Sequence, residues 1–233
     1  MHIPDGFVNA PVCVAGGLLA VGGLAVCVRR VGTSMRTPGG SAVGGSDIPL
    51  AGLAAAFFLV LEAPIFPIGV GTGGHLLGGT LAVALLGPWL GPVVVSVVLV
   101  VQALFAGDGG VTALGVNVVN MALLPALVGY PLLIGSARVL TRILGRARLA
   151  VVVGCAVAAV VSVLAGAVLY SLEYAVGGAA DVPAGTVAAA TIGTYAVIAL
   201  FEGPVTGLVV AALLRLRPDL VRVGRHLTKA PAA

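Results

Sequence analysis

The stretch Leu86-Gly87-Pro88-Trp89-Leu90-Gly91-Pro92 decides how this chain folds. It interrupts an apolar run that extends from residue 76 to residue 106. As one helix the run would be about 46 Å long, well beyond the roughly 30 Å of a bilayer core. Proline has no N–H to continue a helix and biases the residue before it away from the α region. The run is therefore read as two short spans, about 76–88 and 91–106, turning within Gly87–Pro92.

The flanking sequence is as apolar as the run itself. Of 233 residues, 60% are hydrophobic and 9% charged, and the mean hydropathy is +1.19. A soluble domain carries about 25% charged residues, because its surface must face water. The chain is thus expected to be an all-α, multi-pass membrane protein. Its 35 glycines fit close helix contact in lipid, where small residues let backbones approach. Cys13, Cys27 and Cys155 lie in apolar stretches without a C-x-x-C pair, which argues against a disulfide framework or thiolate metal site. Further spans are expected at about 7–28, 48–66, 112–135, 149–172 and 187–214, seven in all within one transmembrane domain over 1–233. Residues 31–47 read as a Gly/Ser/Thr/Pro loop, Gly69–Gly74 as a loop leading to His75, and Gly107–Gly110 as another loop.

Charge fixes the expected orientation. All twelve Lys and Arg fall in three clusters: Arg29, Arg30 and Arg36; Arg138, Arg142, Arg146 and Arg148; Arg215, Arg217, Arg222, Arg225 and Lys229. With seven spans these clusters share one face, and the positive-inside rule makes it cytoplasmic. The amino terminus is then outside, while loop 31–47 and the basic tail 215–233 are inside. The loops 67–75, 107–111 and 173–186 contain no Lys or Arg but do contain Asp108, Glu173 and Asp181. Six spans would break this segregation. Such clusters report topology and call for lipid, not nucleic acid, as the partner.

Two of the three histidines, His2 and His75, meet on the outer face, whereas His226 lies in the tail. The α-amine of Met1 and the deprotonated amide nitrogen of His2 would close a five-membered chelate ring on a metal. That amide and an imidazole nitrogen of His2 would close a six-membered ring, and His75 offers a fourth nitrogen. Four nitrogens in a plane suit Ni(II) or Cu(II); other geometries suit Co(II) or Zn(II). The bulk of His2 argues that Met1 is retained. Asp5 and Asp108 read either as capping and turn residues or as a negative field that concentrates cations. Asn117 and Asn120 share a helix face and read either as interhelical hydrogen-bonding groups or as residues that orient the imidazoles.

No P-loop, H-E-x-x-H or G-x-S-x-G occurs, so ATP binding through a P-loop and two common hydrolase routes lack support. Glu62 and Glu202 are carboxylates at membrane depth, functional by default. They carry the alternative reading, a self-contained secondary transporter or channel for a divalent cation.

Met1-His2-Ile3-Pro4-Asp5-Gly6-Phe7 resembles the amino-terminal signature of the CbiM/NikM family. The likeness continues through Gly71–Gly79, Leu86–Trp89, Gln102–Leu104, Gly107–Gly115 and Asn117–Met121. The loops around His75 and Asp108 look more like the nickel branch. The resemblance implies a seven-helix substrate-capture subunit of an energy-coupling-factor importer for nickel or cobalt, multi-pass in the cytoplasmic membrane of a prokaryote and without enzymatic activity. It implies Met1, His2 and His75 as ligands to the transported Ni(II) or Co(II). It also implies a transmembrane coupling subunit and two ABC-type ATPase subunits as partners. Docking through an A-x-x-x-A patch points to Ala51 and Ala55.

Overall fold

The computed structural model describes residues 1–36, 47–64, 66–69 and 72–223. Helices α1 (Ala10–Arg36) and α2 (Asp47–Leu61) come first. A small antiparallel hairpin, β1 (Phe66–Gly69) and β2 (Thr72–Gly74), pairs Phe66 with Gly74 and Gly69 with Thr72. Helix α3 (Gly79–Val101) continues as a π-helical turn over Gln102–Ala106. Then α4 (Leu114–Val118) runs through π turns at Val119–Leu123 and Pro125–Gly129 into α5 (Tyr130–Leu144). Helices α6 (Ala147–Gly177) and α7 (Ala184–Leu216) complete the bundle. Five helical stretches among the described residues are long and apolar enough to cross a membrane: 10–35, 79–106, 114–144, 147–177 and 184–216. Outward-facing Leu18, Val21, Leu53, Val60, Leu127, Leu200 and Leu208 are more than 60% exposed, as a lipid-facing surface requires.

The chain reverses inside α3. Gly87 has φ 83° and ψ 173°, in the left-handed region that favours glycine. A Cβ on Gly91 would stand 3.1 Å from the Ala82 carbonyl and Val83 Cα. In a continuous helix, residues nine apart lie about 13 Å apart along the axis. The turn expected within Gly87–Pro92 is therefore present, at Gly87. The two arms are unequal, however: residues 79–86 make only about 12 Å of helix, less than half a bilayer core. The expected span 76–88 is corrected accordingly, because residues 75–78 are not helical.

Non-helical backbone buried in the protein must have its polar groups satisfied there. Here a side chain of α7 does so. The N–H groups of Leu77 and Gly78 donate to the two oxygens of the Glu202 carboxylate, at 2.8 and 2.7 Å. Glu202, 3% exposed, has a structural task that its position in the sequence did not disclose.

Other boundaries shift for local reasons. Helix α1 begins at Ala10 rather than near Phe7, because the chain turns at Asp5–Gly6 and the backbone of Phe7 and Asn9 pairs with residues 177–179. It also continues to Arg36 into the expected loop 31–47, of which 37–46 lie outside the described residues. Gly69–Gly74, expected as a loop, closes the hairpin with β1, so the all-α expectation needs that small amendment. Helix α2 stops at Leu61, short of a full span. The expected 112–135 span becomes a rod over 114–144. Pro125 cannot donate to the Met121 carbonyl, and π turns absorb the misfit. The start of α3 settles there: a Cβ on Gly79 would stand 2.7 Å from the Met121 oxygen. Residues 224–233 of the tail, with His226, lie outside the described residues.

At the end of the bundle that holds Gly87, Arg222 ties three segments. It donates to the Leu86 carbonyl at 2.6 Å and to Asp47 Oδ2, at the start of α2, at 2.9 Å. Arg30 lies over the Trp89 ring, 5.5 Å from its centroid.

Candidate metal centre

The amino-terminal strand is held by backbone pairing at both ends. The Ile3 N–H donates to Asn117 Oδ1 at 2.7 Å, and the Ile3 carbonyl accepts from Asn117 Nδ2 at 3.1 Å and from the Gly110 N–H at 2.8 Å. Asp5 accepts from the Val111 and Thr112 N–H groups, at 3.2 and 2.8 Å, and from the Thr112 hydroxyl. Further on, the Asn9 N–H donates to the Gly177 carbonyl at 2.7 Å, and the Ala179 N–H to the Phe7 carbonyl at 3.0 Å. Phe7 packs on Tyr174 with ring centroids 4.7 Å apart. These bonds hold Met1, His2 and Ile3 inside the protein, at 1%, 4% and 0% exposure. The Met1 thioether reaches α6, where a Cβ on Gly166 would stand 2.9 Å from its methyl.

His75 enters from the other side, fully buried between β2 and the Glu202-clamped segment. Its Nδ1–H donates to the Leu76 carbonyl at 2.6 Å, which leaves Nε2 with a free lone pair. The His2 and His75 rings lie 4.9 Å apart. Asp108 Oδ2 lies 3.7 Å from His2 Nε2 and 3.8 Å from His75 Nε2. Ligand atoms from these three residues fall within 4.8 Å of one another. Neither Nε2 atom has a hydrogen-bond partner, although both are buried. Buried polar atoms are rarely left so, and a metal ion fits the gap: two imidazole nitrogens, a carboxylate and a buried terminal amine form a borderline-soft donor set.

The electrostatics keep these donors unprotonated. Burial lowers the Met1 amine from 8.0 to about 5, against the opposing pull of the Asp108 charge. Burial, then the neighbouring amine, brings His75 from 6.5 to about 3. His2 is pushed well below 6.5 by burial and then by the amine and His75. Asp108 is raised by burial, with the amine charge opposing. The hydroxyl and N–H of Thr112 hold Asp5 below the usual carboxylate range. At neutral pH the amine and one nitrogen of each imidazole therefore offer a lone pair.

The residues singled out in the sequence are divided by this geometry. Met1, His2, His75 and Asp108 come together. Asn117 bonds the strand backbone next to His2, rather than an imidazole. Asn120 turns away, its Nδ2 donating to Glu173 Oε2 at 2.6 Å. Asp5 anchors the loop after Asp108 and lies at the protein surface. Glu62, expected as a relay carboxylate, accepts from Gln102 Nε2 at 2.9 Å. Ala51 and Ala55 are half-buried against the core, so the open face of α2 is Gly52, Leu53, Ala56, Phe57 and Val60. Sequence reasoning missed the Glu202 clamp, the Glu173 partner of Asn120 and the Arg222 ties. Each joins residues more than 50 positions apart and has no local signal.

Comparison with known proteins gives the family of the chain. The CbiM family, described as a cobalt uptake substrate-specific transmembrane region, matches residues 2–220. A chain of Haloquadratum walsbyi described as a metal transport protein is 34% identical over 95% of this chain and 93% of its own length. The fused nickel transport protein NikMN of Rhodobacter capsulatus is 38% identical over 55% of this chain, which spans 35% of that longer protein. The cobalt transport protein CbiM of Desulforamulus reducens is 36% identical over 56% of this chain and 50% of its own length. Among solved structures, a transition metal transporter superposes with a TM-score of 0.76 at 28% identity, covering 93% of both chains.

Proposed function

Because the chain belongs to the CbiM family of metal-uptake membrane proteins, we propose that it is the capture subunit of an energy-coupling-factor importer, binding Ni(II), or alternatively Co(II), for uptake. The ligands are the Met1 amine, the His2 amide and imidazole nitrogens, and His75. The observation that carries this reading is the buried, unpartnered Nε2 of His75 facing the His2 ring and a buried terminal amine. Relatives named for nickel transport, with the nickel-like loops at His75 and Asp108, favour Ni(II).

Seven membrane passes follow if α1, α2, the two arms of α3, the 114–144 rod, α6 and α7 alternate. Two clusters support the alternation. His2, His75, Asp108 and Gly178 gather at one end, and Arg30, Asp47, Leu86, Trp89 and Arg222 at the other. The positive-inside rule puts the second end in the cytoplasm and the amino terminus outside, in a prokaryotic cytoplasmic membrane. The transmembrane coupling subunit and its two ATPases then meet the arginine-bearing end and the open face of α2, with Ala51 and Ala55 at that face's edge.

The test is metal retention by purified chain, with and without one residue added before Met1. The native terminus should retain close to one Ni(II) as a yellow, diamagnetic planar complex, and the extended chain should not. Equal retention by both would sink the terminal chelate.

A further inference from the structure

The terminal chelate and the observed geometry use different nitrogens of His2. A six-membered ring through the His2 amide closes only on Nδ1. In the structure that atom faces Gly109, where a Cβ would stand 2.6 Å from it. The atom turned toward His75 and Asp108 is Nε2. Bringing Nδ1 to the metal requires the His2 side chain to turn about both Cα–Cβ and Cβ–Cγ, since a half-turn about Cβ–Cγ alone exchanges Nδ1 with Cδ2.

Asp108 is held where a ligand would be needed. It sits between Gly107, at φ 65°, and Gly109, at φ 93°, left-handed positions that aim its side chain back over the site. Its N–H donates to the Gln102 carbonyl at 3.1 Å. Its side chain is 11% exposed, against 3% for His2 and 0% for His75, so among these three it is the one that meets solvent. His75 carries its proton on Nδ1, so Nε2 points a lone pair at the Asp108 oxygen. Two acceptors facing each other at 3.8 Å, with no donor between, repel unless a cation lies there. Ligands on one first-row metal lie about 3 Å apart at metal–ligand distances near 2 Å. The Asp108 oxygen thus needs to close on each imidazole nitrogen by less than about 1 Å.

We propose that the Asp108 carboxylate, His2 Nε2 and His75 Nε2 form a first-contact site that ligates the incoming divalent metal directly, before the His2 ring turns and the terminal chelate takes it over. This rests on the capture reading above and adds to it a carboxylate ligand and an order of events. A carboxylate is the right first partner for a hydrated divalent cation, since it replaces water with oxygen, while the later all-nitrogen set selects the softer ion. In the exchange, the metal–carboxylate and metal–Nε2(His2) bonds break. Bonds to the amine, the His2 amide nitrogen and Nδ1 form, and the amide proton leaves to solvent.

Rapid mixing of Co(II) with the purified full chain in lipid nanodiscs, followed by visible absorption, tests this. The native chain should show a fast phase proportional to Co(II) concentration, with the bands of mixed nitrogen–oxygen ligation, and then a concentration-independent phase. Asp108→Asn should slow the first phase at least tenfold and remove its bands, yet end at the native final spectrum. An Asp108→Asn chain with the native first phase overturns the proposal. If that variant never reaches the native final spectrum, Asp108→Glu decides, and absence of the fast phase there also overturns it. A native chain that takes up neither Co(II) nor Ni(II) overturns the capture reading itself.

Discussion

The two ends of the bundle handle buried polarity in opposite ways. At the end holding Arg222, charges are closed on partners: guanidinium on carboxylate and carbonyl, a second guanidinium on an indole. At the end holding His2, the scaffold is equally well bonded but the atoms at its centre are left open. Ile3, Asp5 and Leu77 take up backbone donors and acceptors so completely that His2 and His75 need supply none beyond one N–H. A closed end confers shape, and an open end confers affinity for something absent from the chain.

Removing a donor from the open end should have the largest effect. His75→Ala is expected to weaken Ni(II) binding more than about 100-fold, beyond the 10–100-fold typical of residues that only support ligands. Calorimetric titration of the purified chain measures it, and a loss under tenfold would remove His75 from the ligand set. Glu202→Gln comes next. An amide can accept from only one of the Leu77 and Gly78 N–H groups and leaves the other unpaired, a cost of about 1–3 kcal/mol. Melting temperature should fall, and affinity should drop about 10–100-fold through the displaced His75. Loss of uptake with neither change would instead favour a relay role for this carboxylate.

Protons give a finer measure. With the amine near 5, His75 near 3 and His2 well below 6.5, none of these is protonated at pH 7. Only the His2 amide proton is then displaced by metal, so affinity should fall about tenfold per pH unit between 7.5 and 5.5. It should fall more steeply below about 5, where the amine is protonated. Titrations at three pH values give the slope, and a slope near zero would mean that the amide keeps its proton. The same shifts act on folding. The unfolded chain binds protons that the native chain excludes, so stability declines as pH drops from about 8 toward 5. Arg222→Met should move affinity least, within about threefold. It strands the Leu86 carbonyl and takes one partner from Asp47, however, and should cost about 1–3 kcal/mol of stability. An affinity change as large as that of Glu202→Gln would show that the closed end reaches the open one.

Much of this was legible in residue order. Gly87-Pro88 announced the reversal in α3, because a Gly–Pro pair acts on its immediate neighbours. Charge segregation brought His2 and His75 to one face. What escaped was set through space. Residues 7–9 are apolar enough to extend α1, but their backbone is claimed by 177–179. Asn117 and Asn120 share a helical spacing, yet one meets Ile3 and the other Glu173, and spacing does not name a partner. Ala51 and Ala55 have a docking spacing, but which side of α2 faces inward is decided by what Ala54 and Phe58 bury against.

The Glu202 clamp has a consequence for biosynthesis. Met1, His2 and His75 are made well before α7, but the backbone that presents His75 is fastened by a carboxylate on that later helix. Arg222, twenty residues later, fastens the other end of the same short helix. The proposed capture therefore awaits the synthesis and packing of α7, and a chain terminated before Glu202 carries every proposed ligand without the clamp that presents His75.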